Sequence, residues 1–230
     1  MFLVNRSELE TRCDPYYSQG YFKEAFSALY RGNYPIYSIK SLSKLITSGI
    51  TPKSGGEAYT DDKETGIPFI RSGNIDINGD FDFEDLLYIK PEIHETVMKS
   101  SQVYKNDLMI AIVGATIGQV GIFLDEREAN INQAIALVRL KEGNNIQYIK
   151  ELIKSRVGQL SLNRLKRPVA RANINLEEIS TIKIPLPPLA KQQEIANHIY
   201  SIRQQAKQLQ EEGKTILENA KKEVEQMIIG

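Results

Sequence analysis

From Ile195 to Ala220 the apolar and small residues fall at alternating steps of four and three: Ile195, Ile199, Ile202, Ala206, Leu209, Gly213, Ile216 and Ala220. Such steps draw one narrow stripe down a helix, the seam of a coiled coil. The next apolar residue, Val224, lies four further on, so the seam shifts slightly there. Pro185, Pro187 and Pro188 set a sharp start, and Gly230 follows the last turn. Six bases (Lys191, Arg203, Lys207, Lys214, Lys221, Lys222) and six acids (Glu194, Glu211, Glu212, Glu218, Glu223, Glu225) keep the helix neutral. At 1.5 Å per residue it spans ~60 Å. The residues before it cannot cover a stripe of that length, so the helix calls for a partner helix.

Composition narrows the remaining classes. Bases and acids number 29 each, which excludes a uniformly basic nucleic-acid coat but leaves room for a local patch. Charged residues at 25% and hydrophobic residues at 41% fit a globular protein rather than a disordered one. The longest strongly apolar run, Leu108 to Val113, falls far short of the ~20 residues of a membrane span. The opening MFLVNRSELE turns polar by Asn5, leaving no room for a secretory apolar region. Cys13 has no mate for an internal disulfide, and with only His94 and His198 beside it the chain lacks a zinc set. The expectation is a cytoplasmic protein with no membrane segment, no metal site and no bound cofactor.

Charge is unevenly placed. Residues 57–95 hold eleven acids and three bases, a net of −8. Residues 150–171 hold seven bases (Lys150, Lys154, Arg156, Arg164, Lys166, Arg167, Arg171) and one acid, Glu151, a net of +6. A basic stretch of this kind suits a surface that follows phosphates, and it equally suits a solvated helix face.

The rest of the chain reads as α+β. Residues 1–37 form a Tyr- and Ser-rich lead-in with amphipathic stretches at Ser7–Thr11 and Gly20–Tyr30, held onto the body by Tyr16, Tyr17, Tyr21 and Tyr30. Ser38 to Ile46 reads as a helix capped by Ser38, with Ile39, Leu42, Leu45 and Ile46 on one face. A loop rich in Gly, Ser and Pro follows. From Ile67 to Leu140 the signals are for strands: IPFI, LLYI, DLMIAIVG, GQVGIF and QAIALVRL, with Asn78-Gly79 as a hairpin turn. Several short strands at close spacing predict a small curled mixed sheet, barrel-like, flanked by helices rather than βαβ units. Helical spacing returns from Asn145 to Leu165, followed by a loop, a short helix at Leu176–Ser180 and a strand at Thr181–Ile184.

Motifs for chemistry fail on inspection. Gly213-Lys214-Thr215 imitates the end of a phosphate-binding loop, but the upstream glycine is absent and the triplet lies inside the heptad helix. Asp14-Pro15-Tyr16-Tyr17 resembles the loop with which amino-methyltransferases hold a flipped base, yet its second proline is a tyrosine and no Gly-rich cofactor loop follows a nearby strand. Gly114, Gly118 and Gly121 miss the dinucleotide spacing and fit bulges or close backbone approach. The acids of Asp80–Asp85 lack a nuclease lysine at the usual spacing, so a solvated acidic loop is expected. His94 and His198 stand without an evident Ser, Cys or carboxylate partner, so both read as surface histidines. No catalytic centre is expected.

Three stretches, TPKSGG…GIPFIRSGNID, GATIGQVGIF…NINQAIALVRL and ANINLEEISTIKIPLPPLAKQQEIANHI, together resemble the specificity subunit of Type I restriction–modification enzymes. The last is similar to the join between a target-recognition domain and the spacer helix after it, and the likeness covers about residues 38–228. It implies a lead-in at 1–37, a target-recognition domain at 38–184, and a Pro-rich elbow with a long spacer and dimerisation helix at 185–230. Typical members carry two recognition domains and two antiparallel spacer helices; this chain has one of each. It is therefore either a half-length subunit that dimerises through its own helix or a fragment of a longer chain. The expectation is the first: an antiparallel homodimer that reads a bipartite, inverted-repeat DNA target.

The resemblance also implies roles. The basic residues of 154–171, Lys154 among them, with Lys53 in its Gly-rich loop, would neutralise phosphates of double-stranded DNA. Arg71, Asn74, Arg164, Lys166, Arg167 and Arg171 would reach base edges. Asn132 and Gln133, and equally Arg71–Asn74 and Ala172-Asn173, lie in motifs similar to ones shared by members with different targets, which favours a part in shaping the fold. Chemistry would belong to partners: methyltransferase subunits using S-adenosylmethionine and an ATP-dependent motor-nuclease subunit. Ile184, Leu186 and Leu189 are candidate docking surface for them. Two rivals remain at this stage, the recognition end of a single-chain restriction-methyltransferase and a non-DNA coiled-coil scaffold.

Overall fold

A computed structural model describes residues 16–53, 56–167 and 172–229. The stretch Ser7–Thr11, Asp14-Pro15 and Arg171 lie outside the described residues. The chain begins with α1 (Gly20–Tyr30) and β1 (Ile36–Ser38), followed by α2 (Ile39–Leu42) and β2 (Ser43–Ser48). Short strands β3 (Tyr59–Thr60), β4 (Ile67–Ile70) and β5 (Leu87–Ile89) lead to α3 (Pro91–Glu95) and β6 (Gln102–Val103). Then come β7 (Leu108–Ala111), β8 (Val120–Ile122), β9 (Ala129–Ile131) and β10 (Ile135–Leu140). Helices α4 (Ile146–Lys154), α5 (Arg156–Leu165) and α6 (Leu176–Thr181), β11 (Lys183–Pro185) and α7 (Leu189–Ile229) complete the chain.

The strands form open sheets: β2-β10-β7-β8, β3-β5-β4-β9-β6, and the pair β1-β11. All pairings are antiparallel except β4 with β9. The four-stranded sheet is the middle layer. Leu108 and Ile110 of β7 and Ala136 and Val138 of β10 face a core shared with Ile149, Ile153, Leu162 and Ile179 of the helices. Met109, Ile135 and Leu137 point the other way, onto Ile70, Val103, Ala129 and Ile131 of the five-stranded sheet. Burial on both faces explains why β7 and β10 read as unbroken apolar runs rather than alternating ones.

Several expectations are met locally. Ser38 caps α2 by accepting from the Ser41 N–H, and the short helix expected at Leu176–Ser180 is α6, which a reciprocal Asn175–Glu178 capping box holds at its start. Others need correction. The helix expected through Ile46 ends at Leu42, because residues 43–48 pair in register with β10. The helix expected from Asn145 to Leu165 is broken at Ser155, which ends α4 and caps α5 through the Gly158 N–H at 3.3 Å. Asn78-Gly79 does make a turn, with Gly79 at φ +84°, but only the single bridge Ile75–Phe81 flanks it. Tyr17 is buried, as a packed anchor should be, whereas Tyr21 and Tyr30 are exposed.

His94 is the clearest departure in the body. It is 4% exposed, with Nδ1 2.5 Å from Asn130 Oδ1 and Nε2 2.8 Å from Glu128 Oε2. The Asn130 amide nitrogen donates to the Met98 carbonyl, which fixes its oxygen as the acceptor from His94 Nδ1. The histidine thus ties α3 to β9, and only His198 stays exposed.

Helix α7 is 41 residues long. Its first turns lie against α4, where Gln192, 2% exposed, accepts from the Asn145 N–H at 2.9 Å and donates to the Pro187 carbonyl at 2.8 Å. Ala196 is buried and Ile195 packs on the same core. From Gln204 to Ile229 every residue is exposed. No helix among the described residues is long and apolar enough to cross a membrane.

Candidate nucleic-acid interface and helix seam

One edge of the layered sheets gathers five loops. Gly49, leaving β2, lies against the backbone of Ile131 and Asn132. The Asn132 N–H donates to the Ile70 carbonyl at 3.0 Å, which brings in the turn at 71–74. The Ile112 N–H donates to the Ala134 carbonyl, and Ile112 in turn accepts from the Ile174 N–H. Gly114, at φ +75°, donates to the Ala172 carbonyl. Loops 49–53, 71–74, 112–118 and 131–134, with residues 166–167 and 172–174, therefore share one rim, although they lie far apart in the chain.

The rim holds four of the residues expected to meet DNA. Lys53 is exposed. Arg71 donates from Nη2 to the Asp85 carboxylate at 2.8 Å and to the Asp85 carbonyl at 2.9 Å, while its Nε has no partner among the described residues. Lys166 is half-buried, its ammonium without a hydrogen-bond or ion-pair partner among the described residues, and burial lowers its pKa. Arg167 reaches Asn173 Oδ1 at 3.1 Å and Glu178 Oε1 at 3.3 Å. Beside them Gln133 is exposed and accepts a hydrogen bond from the Thr51 hydroxyl. Asn132 closes its own turn, accepting from the Ala134 N–H. A planar amide, two arginines and two lysines on loops form a surface able to meet phosphates and base edges.

Three further candidates are spent on contacts within the chain. Asn74 is 3% exposed; its oxygen accepts from the Arg71 N–H and its nitrogen donates to the Asp85 carbonyl, so no face remains for a base. Arg164 donates from Nε to the Tyr17 carbonyl at 2.9 Å and stacks 3.8 Å above the Tyr17 ring. It fastens the lead-in segment onto α5. Lys154 donates to the Asn78 carbonyl, at the junction with α7. There Arg203 of α7 pairs with Glu151 at 2.5 Å and reaches the same Asn78 carbonyl at 3.3 Å. Much of the +6 stretch is thus spent inside the molecule. Arg156, outside the proposed set, remains exposed. Among the docking candidates, Ile184 is buried, Leu186 packs on the core and only Leu189 is exposed.

Burial, then the neighbouring Arg203 and Lys150 cations, push Lys154 down to about 8; Glu151 and Asp76 oppose the shift. A folded chain that releases this proton at lower pH than the unfolded chain gains stability as pH rises from about 8 to 10.5. Urea unfolding of Lys154→Gln beside the parent at several pH values checks the sign. The parent should gain relative to the variant across that window, and a difference flat in pH would contradict it.

The expected seam is only partly free. Ile195 packs on the chain's own core, which removes it from the dimerisation set, and Ile199 is half-buried. Ile202, Leu209 and Ile216 are 51%, 68% and 69% exposed, and Ala206 and Ala220 are exposed beside them. No group of three or more His, Cys, Asp or Glu side chains suited to a metal occurs among the described residues.

The chain belongs to the Type I restriction modification DNA specificity domain family, whose family model matches residues 31–219. Among curated relatives it is similar to the Type I restriction enzyme EcoBI specificity subunit of Escherichia coli, at 33% identity over 140 residues, 60% of this chain and 29% of that protein. The chain thus spans under a third of that relative's length. Among solved structures it resembles the HsdS subunit from Thermoanaerobacter tengcongensis, with a TM-score of 0.54 at 16% identity, over 80% of this chain and 43% of that one. A chain from a study of complex assembly and conformational transition in the type I R-M system matches with a TM-score of 0.58 at 16% identity, over 82% and 46%. These likenesses agree with a mixed α+β body of open sheets followed by a long helix.

Proposed function

We propose that this chain is a non-catalytic DNA-specificity subunit whose loop rim reads one half of a bipartite target and whose helix pairs with a second copy. The observation that carries the reading is the rim: loops from five parts of the chain bring Lys53, Arg71, Gln133, Lys166 and Arg167 to one edge of the layered sheets. A half-buried ammonium with no counter-charge among the described residues, as at Lys166, gains from an anionic partner. Two copies related by a two-fold axis present two rims, so the target is an inverted repeat interrupted by unread base pairs. Double-stranded DNA, a methyltransferase subunit and a motor-nuclease subunit are the partners. S-adenosylmethionine and ATP act on those subunits, not on this chain, and the complex works in the cytoplasm.

Selection from randomised duplexes with the purified chain tests this. Enrichment of two inverted half-sites at a fixed gap is the expected result; no enrichment, or one continuous site, would count against it. Salt dependence separates rim from junction. Lys53→Ala and Lys166→Ala should each weaken binding across sequences and reduce the log–log salt slope by about 1. Lys154→Ala should leave the slope unchanged, because its ammonium already serves the Asn78 carbonyl.

A further inference from the structure

Helix α7 keeps contact with the body over its first turns and then leaves it. Gln192 and Ala196 are buried, Ile195 and Ile199 are half-buried, and Arg203 is the last residue of the helix that is not exposed. Unlike the apolar contacts before it, this one is polar. Arg203 donates from Nη2 to Glu151 Oε2 at 2.5 Å and from Nη1 to the Asn78 carbonyl at 3.3 Å, which Lys154 of α4 also reaches. The Glu151 side chain is only 10% exposed, and Lys150 stands 3.6 Å from its other oxygen. The Asn78 carbonyl is held in place by its own turn. Asp76 accepts from the Asp80 N–H at 2.8 Å and from the Asn78 amide at 3.2 Å. Gly79 passes so close to β8 that a Cβ there would fall 2.2 Å from the Val120 carbonyl oxygen. Phe81, just after the turn, packs edge-on against Phe123.

We propose that Arg203 is a positioning residue: its fork, held between Glu151 of α4 and the Asn78 carbonyl of the turn, fixes the direction in which α7 leaves the body. An apolar contact such as that of Ile199 tolerates tilting, because burial is non-directional. A planar guanidinium whose two donors meet acceptors on separate elements does not. Lys154 shares the carbonyl but belongs to α4, so it braces the turn against that helix and leaves the direction of α7 to Arg203. From Gln204 on every residue is exposed, so Arg203 is where the described body last holds the helix. A swing of about 10° at this point carries Glu225 through ~6 Å. That exceeds the ~3.4 Å between successive base pairs. Resting on the two-copy reading above, the same residue sets the number of unread base pairs between the half-sites without touching DNA.

The first measurement needs neither DNA nor a second copy. It uses the full chain with Cys13→Ser, which removes its single thiol. Lys99→Cys on the body and Glu225→Cys on α7 carry spin labels, both positions being exposed. Excess unlabelled chain is present, so that the distances read lie within one chain. Adding Arg203→Gln should widen the distance distribution by ~6 Å. Arg203→Lys keeps the charge without the fork and should widen it as well. Lys207→Gln, which removes an exposed charge from the same helix, should leave it as in the parent. Equal widths in the parent and both Arg203 variants would overturn the proposal. The second measurement reads the consequence on duplexes carrying the parent's selected half-sites with the gap shortened or lengthened by a base pair. The parent should bind these more weakly than its own gap, and Arg203→Gln should shrink that penalty by about 10-fold. A widened distribution with an unchanged gap preference would overturn the role in spacing. Failure of the parent to select two half-sites would sink the two-copy reading, and the distances would still decide whether Arg203 sets the helix direction.

Discussion

Gly49→Ala is expected to destabilise the recognition domain by about 3 kcal/mol or more, among the largest single-residue effects in the body. A Cβ at this position would fall 1.6 Å from the Ile131 carbonyl oxygen and 2.9 Å from the Asn132 carbonyl carbon. Both obstacles are backbone, so no side-chain rotation relieves the clash; loop 49–53 must lift away from loop 131–134. That movement separates Lys53 and Thr51 from Gln133, so whatever folded protein remains should also bind DNA more weakly. Gly73→Ala is the matched control on the same rim, since a Cβ there meets nothing within 4 Å. It should lie within ~0.5 kcal/mol of the parent. Urea midpoints measured side by side decide the matter; equal midpoints for Gly49→Ala and Gly73→Ala would show that the close approach of the two loops is not maintained in solution.

Local sequence chemistry made much of the fold legible, and its failures have a common physical origin. Strands β4, β5, β7, β8 and β10 announce themselves as apolar runs bounded by turn residues, and α6 by its Asn175–Glu178 capping box. Residues 43–48 misled because Leu45 and Ile46 fit a helical stripe continuing from Ile39 and Leu42. Their strand conformation is imposed by pairing with β10, nearly a hundred residues on, which no local period records. Charge misled in the same way. The bases of 150–171 look free when counted along the chain, yet Lys154 is met by the Asn78 carbonyl, Arg164 by Tyr17 and Arg167 by Glu178. His94 found its carboxylate, Glu128, across 34 residues. The rim was beyond reach for the same reason: five loops share an edge only once the sheets have formed. Gly49 and Gly114 were available signals, because a glycine at a strand end often marks close backbone approach.

On the proposed two-copy reading, Leu209→Asp should leave the stability of the body unchanged while removing bipartite DNA binding. Leu209 is 68% exposed on a stretch of α7 whose residues are all exposed, so the substitution costs the described body no packing. In a helix pair seamed along this stripe it would place a carboxylate from each copy inside the seam, where burying an unpaired charge is costly. Two rims joined by the helix pair bind as one ligand with a high effective concentration; two separate rims do not. Losing that linkage should weaken binding to an inverted repeat by ~10²–10⁴-fold. Binding to a duplex carrying one half-site should stay as it was, because every rim residue is untouched. Titration of both duplexes at one fixed salt concentration reads the two effects together. If the variant still binds the inverted repeat within twofold of the parent, the two half-sites are not read by copies joined through this helix. The unpaired stripe from Ile202 to Ala220 would then need a different occupant.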